Sequence, residues 1–360
     1  MEKYIAVGLS SYIKTDQEKI KILLDELKIL IKTLGSEITE SFFQSRISPD
    51  PKYFIGSGKL TEIKQCAHQL NLQGIIFVNE ISPSQIRNIE DFTELKIITR
   101  RDVILDIFAR HASSQLAKAE VEMAQLKHIS SRLVGSTSHL SRLGGGIGTR
   151  GPGEKKLEMD RRNIQKRMKT LTKTLEKNKK ALQVQRKRRK NVYQISLVGY
   201  TNAGKSTLLN ALTKSKVLVA NQLFSTIDTT TRKLASPYNS IPIILSDTVG
   251  FILDLPPELI DSFQATLDEV VQADLRLIVI DLSDPLYEIK LTSVEKTLKR
   301  LNCLDLPKFY VYNKIDTSSV SQYPNEADNF YVSARTGEGL DNLKNALIET
   351  AKFKQQCPHP

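Results

Sequence analysis

Residues 199–207 read "GYTNAGKST", between the apolar run "YQISLV" (193–198) and the helix-patterned "LLNALTK" (208–214). Gly199, Gly204, Lys205 and Ser206 satisfy the spacing G-x-x-x-x-G-K-[ST] after a strand and before a helix, which is the setting a phosphate-holding loop needs. The glycines let backbone N–H groups point inward, Lys205 is expected to reach the outer phosphates, and Ser206 is the expected magnesium ligand. Tyr200, Thr201, Asn202, Ala203 and Thr207 complete this candidate nucleotide loop. Downstream, "IPIILSD", "LRLIVIDLSD", "KFYVYNK" and "NFYVSA" alternate with helical patterns. They predict an α/β fold with a doubly wound, mostly parallel sheet, which binds ligands beyond the carboxyl ends of its strands.

Each further motif falls at such a strand end. "DTVG" supplies Asp247, whose carboxylate can hold the outer shell of a magnesium ion, then Thr248, Val249 and Gly250, whose N–H can sense a terminal phosphate. "NKID" supplies Asn313, Lys314, Ile315 and Asp316. The Asp316 carboxylate offers paired acceptors to the paired donors of guanine, whereas adenine would leave a buried carboxylate without partners, so GTP and GDP are the expected ligands. "VSARTGEG" places Ser333, Ala334 and Arg335 where a backbone N–H can recognise the guanine carbonyl. Glutamine often orients the attacking water just after the glycine of D-x-x-G. That position is Phe251 here, so no catalytic residue is assigned and hydrolysis is expected to be slow until another group completes the site.

Outside this region the charge is uneven. Between Lys155 and Lys190, sixteen Lys and Arg face three acidic residues, a balance of +13, while the whole chain carries +12. A concentrated basic stripe suits a polyanion, because each neutralised phosphate releases counterions. Leu157, Ile164 and Leu171 recur every seven residues, with Met168, Leu175 and Leu182 offset by four, and Ala119, Met123, Leu126 and Leu133 share a face upstream. A long antiparallel helical hairpin over 111–190 follows, with a glycine-rich tip loop at 134–153. Arg142 and Arg150 in the loop, and Arg186, Lys187, Arg188 and Arg189 at the hairpin's base, are the candidate RNA contacts. Residues 1–110 read as a small α/β domain, 191–352 as the nucleotide domain and 353–360 as a tail. "FIGSGKL" at 54–60 is either a tight strand-to-helix turn or a second anion site. The start lacks signal-peptide order and no eighteen apolar residues run together, so a soluble protein is expected. Cys66, Cys303 and Cys357 show no paired spacing and the five histidines no ligand pattern with them; a reducing cytoplasm fits and a structural zinc does not.

"GYTNAGKST", "LFSTIDTTTRK", "DTVGFI", "GSGKL", "VILDIFARHASSQLAKAEVEMAQL" and "GGGIGTRGPGE" together resemble the HflX family of ribosome-associated GTPases, over nearly the whole chain. The resemblance implies a cytoplasmic GTP switch that binds the large ribosomal subunit and its ribosomal RNA and splits or rescues stalled or idle ribosomes, with the hairpin loop reaching toward the peptidyl-transferase centre. It also brings Phe224, Ser225, Thr226, Ile227 and Asp228 to the nucleotide. The family's proline after the aspartate is replaced by Thr229, which leaves Thr226 and Thr230 both open as the switch residue on magnesium; Thr226 holds the F-x-T-x-D position and is preferred. A GTP-regulated module on a membrane or protein partner, with little hydrolysis, is the alternative. No stable homo-oligomer is expected.

Overall fold

The computed structural model describes residues 2–134, 152–187, 192–215, 223–224, 228–235, 242–318 and 327–356. Ser225, Thr226, Ile227, Arg142, Arg150, Arg188 and Arg189 lie outside the described residues, as does nearly all of the glycine-rich loop. Internal contacts group the chain into two units, Met1–Arg110 with Val121–Lys173, and His111–Glu120 with Thr174–Pro360.

The first unit alternates β1 (Lys3–Ser10), α1 (Lys14–Thr33), β2 (Glu37–Ser45), α2 (Ser57–Gln69), β3 (Gly74–Phe77), α3 (Pro83–Thr93), β4 (Lys96–Thr99) and α4 (Arg100–His111). The strands form one sheet in the order β2-β1-β3-β4, every pair parallel. Seven consecutive residues of β1 are buried, as a central parallel strand covered on both faces requires. In α1 the buried Ile20, Leu23, Leu24, Leu27, Leu30 and Ile31 recur at helical spacing. Helix α3 begins on a capping box of Ser82 and Gln85 with Pro83 in its first turn. Buried Arg100 pairs with buried Glu26 on α1. The glycine motif at 56–58 opens a helix rather than joining a strand to one: β2 ends at Ser45, only an isolated bridge of Phe54 to Asp50 precedes, Gly56 N–H donates to the Gln44 side chain at 2.9 Å and α2 starts at Ser57.

Two long helices follow, α5 (Gln115–Val134) and α6 (Pro152–Lys187). Glu122 on α5 accepts both Arg167 donors of α6, at 2.5 and 2.8 Å. The pair is too exposed to add much stability, but it records which faces meet. Leu171 is buried and Ile164, Met168 and Leu175 are half-buried, an apolar stripe on a helix most of whose other described side chains are exposed.

The second unit runs β5 (Tyr193–Gly199), α7 (Lys205–Thr213), β6 (Thr230–Leu234), β7 (Ile243–Asp247), α8 (Pro257–Ser262), α9 (Gln264–Gln272), β8 (Leu275–Asp281), α10 (Tyr287–Arg300), β9 (Lys308–Asn313), a 3-10 turn (Ile315–Thr317), β10 (Asn329–Tyr331) and α11 (Leu340–Gln356). Its sheet order is β10-β9-β8-β5-β7-β6. All neighbours are parallel except β6, which runs antiparallel along β7. The winding reverses beside β5, between β7 on one side and β8 on the other, and a crevice at the carboxyl ends opens at such a reversal. Arg276 of β8 is buried, donating to the carbonyls of Val270 and Val271 at 2.9 and 2.5 Å, and so caps the end of α9. Among the described residues no helix is long and apolar enough to cross a membrane.

Candidate active site

The loop after β5 carries the chain from a buried strand into α7 through two left-handed residues, Asn202 at φ 63° and Gly204 at φ 91°. A side chain at Gly204 would also put its Cβ 2.3 Å from the Asn313 amide nitrogen, so glycine is demanded on both counts. Lys205 opens the helix and is buried. Its ammonium donates to the carbonyls of Gly199 and Tyr200 at 3.3 and 3.0 Å. Burial pushes its pKa down to about 8, against the opposing pull of Asp247.

Ser206 follows, and its hydroxyl donates to the Asp247 carboxylate at 2.5 Å. Asp247 ends β7 with no exposure. A hydroxyl and a carboxylate oxygen in contact at a helix start are hard donors of the kind magnesium takes, so the residues present fit that ion. Among the described residues no cluster of three or more His, Cys, Asp or Glu offers a rival metal site. Thr230 is the register partner of Asp247 across the β6–β7 ladder. Gly250 lies against the phosphate loop, and a Cβ there would meet Thr201 at 2.7 Å and the Lys205 ammonium at 3.0 Å. Backbone alone fits between the phosphate loop and the D-x-x-G turn.

Phe251 is entirely buried. Its N–H donates to Gly199 and its carbonyl accepts from Thr201, at 3.0 and 2.8 Å, bridging the turn to the phosphate loop. Its ring is core. Thr248 is likewise internal, its hydroxyl donating to the Leu197 carbonyl at 2.7 Å.

The third corner belongs to β9 and the loop after β10. Asn313 donates to the Ala203 carbonyl at 3.0 Å and accepts from Ala334 N–H at 3.0 Å. Lys314 donates to Asn202 carbonyl at 3.0 Å and pairs with Asp281 at 2.6 Å. Asp316 accepts the Ser333 hydroxyl at 2.6 Å and pairs with Arg335. The Ser333 hydrogen bond and then the Arg335 charge hold its carboxyl below the ordinary value, so it stands ionised at any working pH.

The parallel sheet therefore gathers Gly199–Thr207, Asp247–Gly250, Asn313–Asp316 and Ser333–Arg335 at one edge. Phe224 is buried, with its backbone left-handed at φ 59°. The Asp228 carboxylate is engaged by Ser113 and Ser114. Arg186 and Lys187 close α6, their side chains outside the described set. Sequence reasoning missed Asp281, although an acid at a strand end in "IDLSD" is a usable signal. It also missed the serine pair before α5, which announces a helix start but not a partner 114 residues away.

Three family models match between residues 21 and 314: "GTP-binding GTPase N-terminal" at residues 21–109, "GTP-binding GTPase Middle Region" at 111–189 and "50S ribosome-binding GTPase" at 194–314. The GTPase HflX of Lacrimispora saccharolytica is 45% identical over 360 residues, covering 99% of this chain and 84% of that one. The GTPase HflX of Caldanaerobacter subterraneus subsp. tengcongensis is 46% identical over 92% of this chain and 77% of its own. That of Escherichia coli is 40% identical over 92% and 80%. Among solved structures, the complex of SsGBP with GDP covers 98% of this chain and 99% of its own at 24% identity and a TM-score of 0.50, a likeness of fold. With four short motifs gathered at the strand ends of one mostly parallel sheet and these relatives covering 92–99% of the sequence at 40–46% identity, the chain belongs to the HflX family of GTPases and hydrolyses GTP.

Proposed function

We propose that this GTPase works with magnesium in the cytoplasm as a switch on the large ribosomal subunit, and that it splits or rescues stalled or idle ribosomes. The observation that carries the reading is the match of residues 194–314 to a ribosome-binding GTPase family, on a chain whose entire positive excess lies in the helical segment just upstream. A charge so placed grips folded RNA through its phosphates, with Arg142, Arg150, Arg186, Lys187, Arg188 and Arg189 as the contacts.

At the nucleotide, Ser206 with the Asp247 carboxylate behind it would hold the magnesium ion, which when bound neutralises charge on the phosphate oxygens. Lys205 donates to the outer phosphates. Asp316 accepts from guanine, and the amides near Ser333 and Ala334 meet its carbonyl. Thr226, with Thr230 as the other candidate, closes over the terminal phosphate together with Gly250, and loss of that phosphate frees them. Because the Phe251 ring is sealed in the core, the attacking water is oriented by another group, and docking on the ribosome completes the site. Phosphate hydrolysis is then coupled to the correct partner.

The test is sedimentation of the protein, loaded with a non-hydrolysable GTP analogue, with large subunits or with anionic liposomes. Pelleting with subunits, weaker with GDP, is expected. Pelleting with liposomes alone would replace the ribosome by a membrane, and equal GTP turnover with and without subunits would sink the coupling.

A further inference from the structure

Helix α5 starts at Gln115, and the group that caps it comes from the far side of the nucleotide loop in sequence. The Asp228 carboxylate accepts the Ser113 N–H at 3.1 Å, the Ser113 hydroxyl at 2.5 Å, the Ser114 N–H at 3.0 Å and, through its other oxygen, the Ser114 hydroxyl. The Ser114 hydroxyl accepts in turn from Ala117 N–H at 3.0 Å. This is a helix start closed by its own serine and then by a carboxylate lent from elsewhere, both favoured at that end. Four donors on one carboxylate make charge-assisted bonds of the stronger class. Burial raises the Asp228 carboxyl, and the Ser113 and Ser114 hydrogen bonds more than reverse this, holding it below its ordinary value.

Asp228 is two residues from each switch candidate, Thr226 before it and Thr230 after it. Two residues of extended chain span about 7 Å, so Thr230 cannot travel far while this carboxylate stays put. Thr230 is in turn the ladder partner of Asp247, the acid under Ser206. A short path thus joins the start of α5 to the residues beneath the phosphates.

We propose that Asp228 is a positioning residue for GTP hydrolysis, which ties the threonine-bearing strap of the nucleotide site to the first turn of α5. The inference rests on the reading of Thr230 as the residue that closes on the nucleotide. The strap reaches its reactive place with the helix start in register, and displacing that helix start withdraws the threonine. By linkage, nucleotide state and the position of this helix end bias each other equally.

Steady-state hydrolysis by the full chain tests the tie. Asp228→Ala is expected to lower kcat about tenfold while KM for GTP stays within about twofold, since misplacement rather than lost binding is at issue. Asp228→Asn keeps one acceptor oxygen and recovers part of the rate. Replacing Ser113 and Ser114 together by Ala leaves two backbone donors and lowers kcat about threefold, with no further loss when added to Asp228→Ala. An unchanged kcat in Asp228→Ala, or effects that simply multiply, overturns the proposal. Should Asp228→Ala fail to fold, judged by melting and GDP binding, the serine pair with Asp228→Asn carries the same criterion. Failure of the underlying reading looks different: Thr230→Ala would hydrolyse GTP at the parent rate.

Discussion

Lys205 is the group whose chemistry can be read out most directly. Its pKa falls from an ordinary 10.5 to about 8 because the ammonium is buried, a penalty of about 3 kcal/mol on the charged form. The sign follows. Below pH 8 the nucleotide-free protein bears the full penalty; as pH climbs from 8 toward 10.5 the folded lysine is neutral while the unfolded one is still charged, so stability rises. A phosphate beside the ammonium restores the charged form. Nucleotide binding should therefore take up about 0.1 proton at pH 7 and about 0.9 at pH 9, with affinity falling about tenfold between them. Calorimetry of GDP binding in buffers of different ionisation enthalpy measures the uptake. Lys205→Arg supplies the control, since a guanidinium does not titrate in this range, while ionisation of guanine itself is common to both proteins. Equal uptake by the two proteins at pH 9 would refute the reasoning.

The other sites give sharper yes-or-no outcomes. Asp316→Asn replaces an acceptor by a donor and should reduce the preference for GTP over ATP by about a hundredfold or more in competition binding. Gly204→Ala forces a Cβ into the Asn313 amide at a φ of 91°; the conformational cost alone is about 1–2 kcal/mol, so GDP affinity should drop at least about tenfold by calorimetry. Phe251→Leu keeps an apolar core residue and should hydrolyse GTP within about threefold of the parent, whereas Phe251→Ala should lose about 3–5 kcal/mol of stability in denaturant unfolding. Replacing Arg186, Lys187, Arg188 and Arg189 by Gln should flatten the log–log salt dependence of ribosome binding by about 3 while leaving GTP affinity in place.

The nucleotide corner was legible because each of its motifs is short, contiguous and set at the end of an apolar strand, so that a parallel sheet alone brings Lys205, Asp247, Asn313 and Ser333 together. What escaped depends on contacts with no local signature. β6, "TTRKL", carries no apolar face and gives no strand signal of its own; it becomes a strand by hydrogen bonding along β7 at the sheet edge, where only Leu234 is buried. Phe251 is tied by backbone hydrogen bonds to Gly199 and Thr201 of the phosphate loop and is buried, which the residue type alone does not reveal. The serines at 113 and 114 announce a helix start, yet nothing near Asp228 says that its carboxylate is spent there. In "GSGKL" the local pattern left two meanings open, and the Gln44 hydrogen bond to Gly56 accounts for the turn geometry.

Asn313 clamps both halves of the nucleotide corner, holding Ala203 with one end of its amide and Ala334 with the other. One side chain thus ties the phosphate loop to the loop after β10. Cutting this one amide, as in Asn313→Ala, should accordingly loosen the phosphate loop and the base loop together, and a partner that moves either loop reaches the other through the same side chain.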